Sequence, residues 1–122
     1  METVFESESE KRVAGFLDNL NIKWEAQPKV LVTDNYGKER TTYPDFHLPE
    51  FGIYLEVCGA ERTDYYNNKK KLYEKNRIPM IFIHTYKEEQ KWKLYLISQT
   101  LQIQNKRQSK LLTSLVDNFF KD

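Results

Sequence analysis

A chain of 122 residues is one domain's worth of sequence, long enough for a single modest core without covalent staples. Its 19 basic and 18 acidic residues leave a formal net charge of +1, which excludes a global basic field and assigns any nucleic-acid contact to a local patch. A single cysteine, Cys58, excludes an intramolecular disulfide and fits a reducing, cytoplasmic setting.

The N-terminal Met-Glu-Thr-Val-Phe-Glu-Ser-Glu-Ser-Glu stretch is acidic and has no apolar run, so no secretory signal is expected. No segment approaches the ~18 apolar residues of a membrane span. Residues 7–20 read as an amphipathic helix, with Val13, Phe16, Leu17 and Leu20 on one face. Ser7 and Glu10 stand at capping-box spacing, and Asn21 is a fitting stop. Residues 24–32 look like a strand that Pro28 confines to an edge or bulge, and Asp34-Asn35-Tyr36-Gly37 supplies turn chemistry.

Two strand-like runs follow, residues 41–48 and 53–58, with Pro49 and Gly52 placed to turn the chain between them as a β-hairpin. After Gly59 the composition changes. Residues 61–76 place Tyr65, Lys69, Leu72, Tyr73 and Asn76 at helical spacing, and the opposite face is basic. Residues 78–84 form an apolar run of the kind that makes a strand covered on both faces. Helix is expected over residues 87–104, and a closing helix from residue 109 on, with Leu111, Leu112, Leu115, Val116 and Phe119 in a broad apolar stripe. The stripe is core or, given its width, a homodimer contact through the C-terminal helices. The expected order is α-β-β-β-α-β-α-α, an α/β (α+β) domain with one mixed sheet flanked by helices.

Each strand of the hairpin carries one carboxylate, Asp45 and Glu56, in otherwise apolar surroundings. Buried carboxylates facing each other repel unless a cation sits between them. With the turn centred near residues 50 and 51 the two lie opposite each other on one face. A hard divalent cation suits them, since Mg²⁺ takes carboxylate and water oxygens at ~2.0–2.1 Å. Such an ion polarises a phosphodiester and lowers the pKa of a bound water. Glu10 is either a capping residue or a third acid brought up by the first helix. His47, two residues past Asp45 on the same strand face, is a candidate for proton transfer or a structural histidine.

Tyr43-Pro-Asp-Phe-His-Leu-Pro-Glu-Phe and Tyr54-Leu-Glu-Val-Cys-Gly resemble the signature of the PD-(D/E)xK nuclease superfamily, most of all its very-short-patch repair branch. Archaeal Holliday-junction resolvases are a more distant comparison. The resemblance covers about residues 7–84. It implies a restriction-endonuclease-like core of αβββαβ order, with residues 87–121 as a helical extension of a single domain spanning 1–122. It further implies a Mg²⁺- or Mn²⁺-dependent DNA endonuclease of repair, recombination or mobile-element biology. Asp45 and Glu56 would hold the metal, the Val57 carbonyl would add a ligand, and Glu10 would match the first-helix glutamate of many members.

One position departs from the pattern. The usual lysine, two residues after the glutamate, is Cys58, and a thiol with an ordinary pKa of ~8.5 supplies no positive charge. Some nucleases of the superfamily move this charge to the next helix, where Lys69 and Lys70 stand; Lys69 shares a face with Tyr65 and Tyr73. The alternative is a catalytically lapsed nuclease-fold module that binds DNA without cutting it. Arg62, Lys69, Lys70 and Lys71 are the expected backbone contacts, or else a solvated helix face. Tyr65, Tyr66 and Tyr73 either stack on bases or seal the helix against the sheet.

Overall fold

The computed structural model describes residue 5 and residues 7–121. Half of the N-terminal stretch read for a secretory signal, residues 1–4 and 6, lies outside them. Helix α1, Glu8–Asn19, begins where the Ser7 hydroxyl accepts the Glu10 N–H at 3.2 Å, and it buries Val13, Ala14 and Leu17. It stops at Leu20 because Asn21 turns the backbone left-handed, φ 56°, a conformation asparagine tolerates better than most residues.

Residues 24–32 do not form one strand. β1, Glu25–Ala26, pairs with one sheet and β2, Val30–Thr33, with another. Gln27 at φ 49° and Pro28, which has no N–H to donate, break the run between them. β2 and β3, Glu39–Thr42, make a separate antiparallel hairpin. Its turn is held by the Asp34 carboxylate, which accepts the N–H groups of Tyr36 and Lys38 at 2.9 and 3.0 Å, with Gly37 at φ 77°.

The run over residues 41–48 is likewise divided. Pairing with β2 ends at Thr42, the chain bends through Tyr43-Pro44-Asp45, and β4, Phe46–Leu48, starts a new pairing. β4 lies antiparallel to β5, Ile53–Cys58, around a turn in which Gly52 has φ 61°. The chain then crosses over through helix α2, Thr63–Lys75, to β6, Met80–His84, parallel to β5. The main sheet therefore runs β1-β4-β5-β6 and is mixed.

The last helix is single where two were expected. α3 runs unbroken over Glu89–Phe119 because residues 105–108, Asn-Lys-Arg-Gln, contain neither proline nor glycine to end it. The observed order is thus α-β-β-β-β-β-α-β-α.

Strand alternation divides the side chains between two faces. Phe46, Leu48, Ile53, Leu55, Ile81 and Ile83 pack with Val13 and Leu17 of α1 and Trp92 and Leu96 of α3. That face is the main core. Each such side chain contributes about 1.5–3 kcal/mol of burial. The opposite face carries Tyr54, Glu56 and Cys58 of β5 beside Phe82 and His84 of β6, and α2 lies over it through Tyr66 and Tyr73. The described residues thus form an α+β fold of three helices around a mixed sheet, with the β2–β3 hairpin beside it. No helix among the described residues is long and apolar enough to cross a membrane.

Candidate active site

Asp45 stands one residue before the β4–β5 pairing. Since Phe46 pairs with Leu55, the register carries Asp45 opposite Glu56, on the face under α2. The bond that anchors Asp45 comes from the backbone: the Val57 N–H donates to its Oδ2 at 2.6 Å. Glu56 is buried, at 5% exposure, in the strand interior.

The third carboxyl comes from α1. The close approach of Gly59 to Ser9, where an added Cβ would stand 3.3 Å from the Ser9 hydroxyl, sets the first turn of α1 against the end of β5. Glu10 is buried there, and its carboxyl stands near enough to Asp45 to help raise that residue's pKa. The Glu10 N–H serves the helix cap while its side chain faces the hairpin acids, so capping and acidic roles coexist in one residue.

One cation answers these acids. Lys69 of α2 brings its Nζ to 3.4 Å from Glu56 Oε2, and the Tyr73 hydroxyl donates to Glu56 Oε1 at 3.3 Å. Tyr73 is itself held by Thr42 at 2.8 Å, which ties the β2–β3 hairpin to the site. The Tyr65 ring lies 4.9 Å from the Lys69 ammonium, and Arg62 stacks on the same ring at 4.0 Å. Spacing of four residues along α2 turns Tyr65, Lys69 and Tyr73 toward β5 together.

Charge balance follows from burial. Asp45 is pushed up to about 8, first by burial and then by the charge of Glu56 and the contact with Glu10, against the opposing Val57 hydrogen bond. Burial also raises Glu56, partly offset by Lys69 and Tyr73. Burial on its own would lower Lys69, but the Glu56 carboxylate together with Tyr65 and Tyr73 outweighs it and holds the ammonium above its ordinary value. The Cys58 thiol is pushed up to about 12 by burial and by the nearby carboxylates, so it is neutral and inert near pH 7. Its Sγ lies 3.9 Å from the Glu56 carbonyl, in the role of a small buried side chain.

The remaining expected residues fall elsewhere. Lys70 points away from Glu56 and lines a cavity between α2, β6 and α3, and Lys71 is exposed. Arg62 opens α2 as its cap residue without a side-chain hydrogen bond. His47 stacks on Tyr54, centroids 4.7 Å apart, and its Nδ1 lies 3.4 Å from Glu25 on the β1 side. Thr42 was not readable from sequence as part of the site, because its contact with Tyr73 spans 31 positions. Tyr73 was legible only as a residue on the sheet-facing side of α2.

As donors these residues suit a hard divalent ion: they offer carboxyl oxygens from Asp45, Glu56 and Glu10, buried where a bound cation would favour their charged forms. The donors are not assembled into a finished cage. Among the described residues, no group of three or more His, Cys, Asp or Glu side chains stands close enough to hold an ion.

Comparison finds no kin. Neither protein-family models, nor curated proteins, nor solved structures match this chain.

Proposed function

We propose that the chain is a metal-dependent DNA endonuclease, hydrolysing phosphodiester bonds at Asp45 and Glu56 on a restriction-endonuclease-like core. The observation that carries this reading is Lys69, whose ammonium lies 3.4 Å from Glu56 although the position two residues after that glutamate is a cysteine. A lysine on the following helix thereby supplies the positive charge that Cys58 cannot. The order of the main sheet supports the same reading, with an antiparallel β4–β5 pair carrying the acids and a crossover helix leading to a parallel β6.

Asp45 and Glu56 would hold Mg²⁺ or Mn²⁺, with the Val57 carbonyl as a further donor and Glu10 in support. When bound, the ion would polarise the scissile phosphate and acidify a water. The Val57 N–H keeps Asp45 in one orientation, and Tyr73 and Lys69 do the same for Glu56. Lys69 also stands where it would stabilise negative charge growing on the phosphate. Arg62, Lys70 and Lys71, along or beside α2, would take neighbouring backbone phosphates. The partners on this reading are DNA and a second copy of the chain, met through the apolar stripe of α3.

Nicking of plasmid, mismatched and four-way-junction DNA in Mg²⁺ and Mn²⁺ tests the activity. Asp45→Ala is expected to lose it, and cleavage undiminished in that variant would sink the assignment. The second reading, a DNA-binding module that does not cut, is favoured by Cys58 in the usual lysine position and by a net charge of only +1. It predicts salt-sensitive binding with no cleavage in any divalent metal. Under that reading Cys58→Lys gains cleavage, whereas a working Lys69 leaves that substitution without benefit.

A further inference from the structure

We propose that the cavity between α2, β6 and α3 is a subsite for an unpaired nucleobase, which makes the substrate of the proposed nuclease a single-stranded or locally melted strand. The inference rests on the nuclease reading for its meaning, and on the cavity alone for its geometry. The cavity measures about 320 Å³, within the ~300–1,000 Å³ of small-ligand sites.

Its walls carry the chemistry of base recognition. Tyr66, Phe82 and Tyr95 supply aromatic faces, and an unpaired base stacks on such rings whatever its identity. Asn67 adds an amide, with donor and acceptor for the edge of a base. His84, also in the wall, has in Nδ1 a buried ring nitrogen with no hydrogen-bond partner among the described residues. Arg62 and Lys70 border the same space, so cations suited to a phosphate flank the aromatic surface.

Position relates the cavity to the acids. Phe82 is the registered partner of Glu56 on the neighbouring strand, and His84 is that of Cys58. Adjacent strands lie ~4.8 Å apart, so the cavity wall begins about one strand from the carboxylate. Tyr66 packs against both Phe82 and His84, while Lys69, three residues on in the same helix, reaches Glu56. A strand with one phosphate at Lys69 would carry a nearby base past Tyr66 into the cavity. Paired bases cannot enter it, because their edges are occupied and their faces stacked.

The test uses the full chain in EDTA, with a short single-stranded oligothymidylate carrying one 2-aminopurine. Binding is expected to quench the fluorescence as the probe stacks. Tyr95→Ala and Asn67→Ala, both at exposed positions, are expected to weaken binding about fivefold or more and to relieve the quench. Equal affinity and quench in the wild type and both cavity variants would overturn the subsite, as would duplex bound as tightly as single strand. Cleavage is scored separately in Mg²⁺. Base binding without cleavage removes the nuclease reading and keeps the subsite. Cleavage that is indifferent to Tyr95→Ala and to an abasic strand keeps the nuclease and removes the subsite.

Discussion

Asp45 holds two opposed requirements, since burial disfavours its charge while the Val57 N–H favours it, and burial prevails. The consequence belongs to this residue. Asp45→Asn keeps an oxygen for the Val57 N–H and removes a repelling charge, so in metal-free buffer it should unfold at higher urea than the wild type. The gain should be larger at pH 8.5 than at pH 5.5, and urea midpoints at the two values check it. Lys69→Met acts the other way. It leaves Glu56 buried without its cation, and a loss of about 1–3 kcal/mol is expected from denaturation curves. On the nuclease reading it also slows nicking by roughly 10²–10³-fold with the ligands intact. Both carboxylates stood out in the sequence because charges are rare in apolar strands. The choice of Lys69 over Lys70 needed the angle at which α2 lies on the sheet.

Among the elements, α2 owes its ending to a residue that suits it poorly. Arg77 adopts φ 56° just past the Asn76 cap, where glycine has no Cβ penalty. Arg77→Gly should therefore stabilise the chain by about 1 kcal/mol in urea titration. Asn76 does more than cap: its side chain exchanges two hydrogen bonds with Thr33, at 2.7 and 3.0 Å, and donates to the Leu72 carbonyl at 2.8 Å. It pins the β2–β3 hairpin to α2, and so helps to place Thr42 under Tyr73. The third element of interest is α3. Gln104 and Arg107 clamp it to the hairpin turn at Phe51 and Gly52, and every described residue from 105 on is exposed. Leu111, Leu112, Leu115, Val116 and Phe119 there support no core of the monomer. Leu115→Glu should shift stability by less than about 0.5 kcal/mol. If a second copy covers this stripe, the same change reduces a dimer to monomer in sedimentation equilibrium, and a wild-type monomer at high concentration would refute the dimer.

For the whole molecule, the acids link stability to pH. A carboxyl whose pKa rises from 3.8 in the open chain to about 8 in the fold holds its proton longer when folded. The folded chain then binds more protons than the unfolded one between about pH 4 and pH 8, so stability falls as pH rises through that window. Glu56, also raised, adds in the same direction. Lys69, raised above 10.5, changes stability only at higher pH. Thermal melts in EDTA across this range should show the decline, and on the proposed function Mg²⁺ or Mn²⁺ reverses it at pH 8. Local signals in the chain itself sufficed for α1, α2, β5 and β6, where periodicity, a capping serine and uninterrupted apolar runs act over a few residues. They sufficed also for the hairpin that sets Asp45 against Glu56, because a turn fixes register by counting. Tertiary structure alone decided where residues 24–33 and 41–48 divide between two sheets, and that α3 continues past its buried half. It alone brought Glu10, Thr42, Lys69 and Tyr73 around one pair of carboxylates. Those contacts join residues distant in sequence, and the packing of whole elements, rather than any local preference, sets their distances.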